Sequence, residues 1–295
     1  MRKLTGVLGA ACLMTAALAQ PAPKPADPAT TPPPAAPSAP SAVQPNLPVA
    51  QPTTPAAEPA KKWVIPADAK PTSRQEIEGI VIEDFVVGTG AEVKPGNAVL
   101  AFYHGTVKAS GETFDSAFER AQPIAFPLNG VIQGWTKGVP GMKVGGLRRL
   151  TIPAALAYGA TPPPGSRIPA NADLVFVIEM VDVIQTEDAK VGTGEEVGQR
   201  AICTTKLVVK DASGKELVKT ADDNPYVWLP GENDLAMGLI GMQVGGKRTM
   251  NIPVTMNKAN GQYPPTTTQI PAGQAVTVEV ELIGVRNLIP LKPKQ

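Results

Sequence analysis

"GMKVGGLRRLTIP", from Gly141 to Pro153, and "GMQVGGKRTMNIP", from Gly241 to Pro253, are one segment written twice, about a hundred residues apart. Upstream, "VGTGAEV" from Val87 to Val93 returns as "VGTGEEV" from Val191 to Val197. Downstream, Ile168-Pro169 and Ile270-Pro271 each precede an apolar strand, Leu174 to Val183 and Val276 to Val285. Three pairs in the same order describe a duplicated domain.

Within each copy the apolar stretches are short, β-branched and punctuated by Gly, Pro, Asn or Ser, as in Ile77 to Val87, Ala98 to Val107 and Leu174 to Ile184. They read as strands. One helix stands out in the first copy, Gln133 to Val139, about two turns with a weak polar face suited to packing on a sheet. The fold class expected is α+β: a curled antiparallel sheet over one short helix, twice. Parallel α/β is disfavoured, because no long helices alternate with the strands.

The ends of the 295-residue chain read differently. Met1-Arg2-Lys3, an almost uncharged run from Leu4 to Leu18 and Ala17-Leu18-Ala19 before Gln20 describe a secretory signal peptide over residues 1–19. A rival reading makes Cys12 a lipid-modified residue, although Gly9 stands where a bulky aliphatic is expected. Residues 20–62, nearly all Pro, Ala, Thr, Ser and Gln, cannot bury enough surface to order themselves and read as a disordered, semi-rigid spacer or, more sharply, as a ligand for proline-binding modules. Trp63, Val64 and Ile65 end the spacer or pack on the first domain. No other stretch is apolar enough to span a membrane. With the signal removed Cys203 stands alone, so no internal disulfide is expected, and its neighbours Ala201 and Ile202 mark it as a packing residue. A net charge of +1 with interspersed signs gives no footprint for nucleic acid, one His and one mature Cys give no metal site, and "GMKVGG" lacks the ending of a phosphate loop. No cofactor is called for.

Between residues 76 and 185 a set of motifs follows in order: "AFYHG" with Tyr103; "FDSAFER" with Phe114, Asp115 and Arg120; "FPLNGVIQGW" with Phe126, Val131, Ile132 and Trp135; "ALAYGA" with Ala157 and Tyr158; "IPANADLVF" with Ile168 and Phe176. This set resembles the FKBP-type peptidyl-prolyl cis-trans isomerases of the exported bacterial kind. The resemblance implies a pocket in which Trp135 floors the prolyl ring and Tyr103, Phe126, Val131, Ile132 and Phe176 form walls. It implies that the Tyr158 hydroxyl and Ile132 N–H hold substrate carbonyls while Asp115 borders the twisting amide. Phe114, Arg120, Ala157 and Ile168 complete the substrate-binding set. The partners implied are proline-containing unfolded or exported polypeptides, and rapamycin-like macrolides.

The chemistry asks little of such a site. Turning an X-Pro bond breaks no covalent bond, so a pocket that excludes water and fits the twisted amide better than the planar one is sufficient, and no nucleophile is needed. Plainer readings stand beside these roles: Trp135, Phe126 and Phe176 as ordinary core, and Asp115 as a buried acceptor tied to Arg120, Tyr103 or backbone. His104, the only histidine, is turned away from Tyr103 by strand alternation and reads as structural. Ile124 sits where many members carry a pocket aromatic, and the loop Thr161 to Pro169 is proline-rich, so ligand preference is expected to differ.

The second copy, residues 186–295, keeps the frame and loses the site. Aligned through Gly111 and Gly214, Lys206 stands opposite Tyr103, Leu217 opposite Phe114 and Val218 opposite Asp115. Aligned through Gly141 and Gly241, Leu235 stands opposite Trp135 and Lys258 opposite Tyr158. A degenerate, inactive FKBP-like domain is expected, with Tyr226 and Trp228 as core or as a contact patch. The function expected is prolyl isomerisation assisting exported proteins in the periplasm or cell envelope; the alternative is a non-catalytic chaperone or binding module for unfolded exported chains.

Overall fold

The computed structural model describes residue 65 and residues 68–229, 234–257 and 272–291. The readings of the signal peptide, Cys12, the spacer, Trp63, Val64, Lys258 and Ile270-Pro271 lie outside them. Twelve strands, all paired antiparallel, form one sheet among the described residues. β1 (Ser73–Ile77) and β2 (Ile80–Val86) form a hairpin where the sequence suggested one strand. Glu78 and Gly79 break it, with φ angles of 51° and 81° that make the two-residue turn matching strand twist.

β3 (Ala98–Val107), β6 (Leu147–Ile152) and β7 (Leu174–Lys190) build the centre of the first half, with β2 beside β6 and the short β4 (Thr113–Ser116) and β5 (Ile124–Pro127) on the outer edge of β3. α1 (Gln133–Gly138) lies close against β6: a Cβ on Gly134 would stand 2.3 Å from the Ile152 side chain, so only glycine lets the helix settle there. The second half repeats the plan with β8 (Ala201–Asp211), β9 (Glu216–Lys219), β10 (Tyr226–Trp228), β11 (Lys247–Ile252) and β12 (Val276–Asn287). The counterpart of α1, Asp234–Leu239, is wound as a tighter 3-10 helix.

The repeated sequence segments meet in space. In each half the "VGTG" turn crosses the "VGG" turn, with Gly90 N–H donating to Val144 O at 3.1 Å and Gly194 N–H to Val244 O at 3.1 Å. A Cβ on Gly88 would lie 2.3 Å from Val144 O. The halves also repeat one ion pair built on a buried arginine. Arg148 makes two bonds to Asp84, at 2.7 and 3.0 Å, and donates to Gly138 O at 2.7 Å; Arg248 makes two bonds to Asp188, at 2.6 and 3.0 Å, and donates to Gly238 O at 2.8 Å. Each guanidinium thus anchors the end of its half's helix to the strand that leads into the "VGTG" turn, β2 in the first half and β7 in the second.

β7 does not stop at the end of the first repeat. Leu174 to Ile184 pair with β3, and Gln185 to Lys190 continue as the strand that pairs with β11, so residues 185 and 186 are neighbours within one strand. The halves share sheet faces as well. Val99, Ala101 and Tyr103 of β3 and Met180 and Val183 of β7 belong to the first core, whereas Ala98, Leu100 and Ile184 are buried in the second. Asn97 Nδ2 donates to Thr186 Oγ1 at 3.2 Å, and Thr255 Oγ1 donates to Asp182. Strand alternation therefore makes β3 and β7 a common wall. Among the described residues no helix is long and apolar enough to cross a membrane.

Candidate functional site

Trp135 points from α1 into the curl of the first sheet, where it is buried. Three rings meet it edge-on: Tyr103 at 5.8 Å between centroids, Phe126 at 5.5 Å and Phe176 at 5.4 Å. Phe114 adds a further edge contact on Phe176 at 5.5 Å. The electropositive edges and electronegative faces of these rings favour such geometry, so strands β3, β4, β5 and β7 each supply one wall to a single aromatic enclosure. Ile168 is buried beside them, and Val131, Ile132, Ala157 and Tyr158 pack half-buried against the same cluster.

A polar network closes one side. Tyr103 Oη donates to Asp115 Oδ2, Arg120 Nη1 donates to Asp115 Oδ1, and Arg120 Nη2 reaches Tyr103 Oη at 3.0 Å. Burial, and then the Asp115 carboxylate, push the Tyr103 phenol far above its ordinary pKa, so it keeps its proton and its bond to Asp115. Both Asp115 oxygens accept hydrogen bonds, one from Tyr103 and one from Arg120, which fix the side chain beside the aromatic cluster. The helix entrance offers a donor instead. Ile132 is the extended residue preceding α1, its carbonyl takes the Trp135 and Thr136 N–H groups, and its own N–H meets no acceptor among the described residues.

The twelve residues singled out in the sequence are thus brought together in and around one aromatic cluster. Tyr158 follows the 3-10 turn Ala154–Leu156, which is pinned by Ala154 N–H donating to Asp173 Oδ1 at 3.0 Å and Asn171 N–H to Gly159 O at 2.7 Å. Ile124 packs half-buried against the cluster. His104 lies on the other face of β3, with Nδ1 3.2 Å from Ser116 Oγ and Nε2 3.4 Å from Thr113 Oγ1, as alternation required. Sequence reasoning missed Arg148 and Asp84, which brace the helix carrying Trp135. Their signal was present: Glu83-Asp84 recurs as Glu187-Asp188 before each "VGTG", and Arg148 recurs as Arg248.

The second half is filled where the first is shaped. Strand register corrects one alignment. Tyr103 pairs with Ile178, which pairs with Arg148; the matching row of the second half is Leu207, Val280 and Arg248, so Leu207 and not Lys206 occupies the position of Tyr103. The hairpin from β8 to β9 is one residue shorter than that from β3 to β4, and aligning through its glycine shifts the strand by one and flips the face. Val99 faces Phe126 and Cys203 faces Trp228, which puts Trp228 where the first half has Phe126. Trp228 is fully buried, donates its indole N–H to Thr205 Oγ1 at 2.8 Å, and is core; the contact-patch reading fails for it. Leu235 is buried at the position of Trp135, and Val218 packs at that of Asp115.

Residues 90–181 match the family model of the FKBP-type peptidyl-prolyl cis-trans isomerases. Over 105 residues the chain is 50% identical to a protein named "Probable FK506-binding protein" of Corynebacterium glutamicum, covering 35% of this chain and 86% of that one. A peptidyl-prolyl cis-trans isomerase of Saccharomyces cerevisiae is 47% identical over 109 residues, 36% of this chain and 77% of its own. The isomerase FkpA of Escherichia coli is 42% identical over 105 residues, with coverage of 36% and 38%. The first half thus carries an FKBP-type domain. The chain belongs to the FKBP-type peptidyl-prolyl cis-trans isomerase family.

Proposed function

We propose that the first half turns X-Pro bonds of unfolded exported polypeptides in the Trp135 pocket without covalent catalysis, and that residues 186–295 form a degenerate FKBP-like domain with no isomerase chemistry. The observation that carries this reading is the aromatic enclosure around Trp135 with the unpaired Ile132 N–H at its lip. An apolar chamber strips water from the amide, and a donor awaiting a carbonyl helps hold the peptide while the C–N bond rotates. Tyr158, from another loop, supplies the second contact through its hydroxyl. Asp115, fixed by Tyr103 and Arg120, presents negative charge to the amide carbon and nitrogen side rather than taking a proton. Lowering the 18–20 kcal/mol barrier by roughly 5 kcal/mol would accelerate rotation about 4,000-fold. A rapamycin-like macrolide would compete for the same chamber.

Export belongs to this reading through residues 1–19 as a signal peptide and 20–62 as a spacer, with the periplasm or cell envelope as destination. The decisive experiment is protease-coupled isomerisation of Leu-Pro and Phe-Pro tetrapeptides by the mature chain beside Trp135→Leu and Tyr158→Phe. Activity in the wild type and its loss in both folded variants is expected; a folded wild type with no activity would overturn the reading. A holding function in the second half is favoured by one observation: of the ten large apolar side chains left exposed among the described residues, seven, including Val191, Val227, Leu229 and Ile283, lie beyond residue 186. Suppressed aggregation of a proline-free client, unaffected by Trp135→Leu, would support it.

A further inference from the structure

Beside the aromatic cluster the loop from Thr161 to Pro169 brings a second cation, in addition to the Arg120 of the polar network. Arg167 immediately precedes Ile168, which is buried in the aromatic cluster, so the backbone of Arg167 is fixed beside the chamber while its side chain is exposed. Its Nη1 donates to Thr113 O at 3.4 Å, on the strand residue before Phe114. That is a long bond to a neutral acceptor. Among the described residues no carboxylate stands within ion-pair distance of it, whereas three other cations of the first half are paired: Arg120 with Asp115, Lys108 with Asp173, and Lys137 with Glu78. The guanidinium thus has no ion-pair partner among the described residues, and it is tied to the residue next to Phe114 on a backbone next to Ile168.

We propose that Arg167 sets client preference: prolines with a Glu or Asp within two residues bind this pocket more tightly than otherwise identical neutral segments. The inference rests on the Trp135 pocket being the prolyl site. A carboxylate on the client would take the free donors of a fork that reaches outward from an anchored loop. Because the pair would be exposed, the expected preference is modest, about twofold to fivefold, and it should fade with salt as the screening length shrinks.

The test uses the mature chain and two peptide pairs, Ala-Glu-Pro-Phe with Ala-Gln-Pro-Phe and Ala-Leu-Pro-Glu with Ala-Leu-Pro-Gln. Affinity is read from NMR shift titrations and turnover from exchange spectra of the same samples. The glutamate member of at least one pair should bind about threefold more tightly at 20 mM salt, approach parity at 0.5 M, lose its advantage in Arg167→Gln and be disfavoured in Arg167→Glu. The ratio is its own control, since damage to the chamber weakens both members together. Equal affinities in the wild type, or a preference that survives Arg167→Gln, overturn the inference even if all peptides are turned over. A preference with no turnover would uphold it and sink the catalytic reading instead.

Discussion

The two halves of this molecule keep the same skeleton and differ at its centre. Both retain the crossing glycine turns and the Arg–Asp pair that ties the helix end to the strand before the first of those turns. Where the first half places Tyr103, Asp115, Phe126 and Trp135, the second places Leu207, Val218, Trp228 and Leu235. The first set joins a phenol and a carboxylate to Arg120 in a polar network beside the aromatic cluster; the second has one indole N–H, satisfied within the core by Thr205. A frame that persists while the chamber is filled separates what the fold requires from what the chemistry requires.

The largest effect is expected at the shared skeleton. Arg148→Ala leaves Asp84 half-desolvated and three helix-end carbonyls short of a donor, and should cost about 3–5 kcal/mol of stability in urea unfolding. Arg248→Ala should cost less, because the Asp188 side chain is 40% exposed where Asp84 is 17%. Replacing the whole first pair, Asp84→Leu with Arg148→Met, should recover most of the loss. Equal costs at Arg148 and Arg248 would break the comparison.

Next comes the common wall. Leu100 belongs by sequence to the first repeat and by packing to the second core, so Leu100→Ala should destabilise the second half by roughly 3 kcal/mol. Unfolding monitored through Trp228 should shift as much as that monitored through the pocket, in one transition. Two separated transitions would show the halves to be independent. For the same reason residues 186–295 alone lack part of their core, and the inactivity proposed for the second half is better tested in the full chain. There Trp135→Leu, which installs the side chain found at Leu235, should lower kcat/KM by about 100-fold, some 2.7 kcal/mol of barrier, without loss of fold. Residual activity near wild type would locate the chemistry elsewhere.

Much of this was legible in the chain because repeats report twice. Glycines at fixed separations marked the crossing turns, and an ordered set of aromatics marked the pocket. Three things were not legible. The hairpin at Glu78-Gly79 hides inside an apolar run because Glu rarely takes positive φ. The passage of β7 from one half into the other leaves no signal, since Gln185 to Lys190 are mostly polar and straddle the boundary drawn between residues 185 and 186, although they are paired with β11. The one-residue difference between hairpins could not be seen without strand register, and it decided whether Lys206 or Leu207 took the place of Tyr103.

The smallest effect concerns a second pair of equivalent positions, Val99 and Cys203, each facing the aromatic of the neighbouring strand. Burial pushes the Cys203 thiol from 9.0 up to about 11, so between those values the folded protein holds a proton that the unfolded chain has released. Stability contributed by the neutral thiol is therefore whole below pH 9 and is lost as pH rises from 9 towards 11. Cys203→Val, which copies the first half, should flatten that fall in the urea midpoint. It should not abolish it, because the buried phenol of Tyr103 is also held neutral above its ordinary value and loses stability in the same direction, beginning near pH 10. Midpoints at pH 8, 9, 10 and 11 separate the two groups: the variant should part from the wild type first between pH 9 and 10. A slope unchanged by Cys203→Val would mean that the thiol ionises without leaving the core, and that Val99 and Cys203 are not the matched sites that strand register makes them.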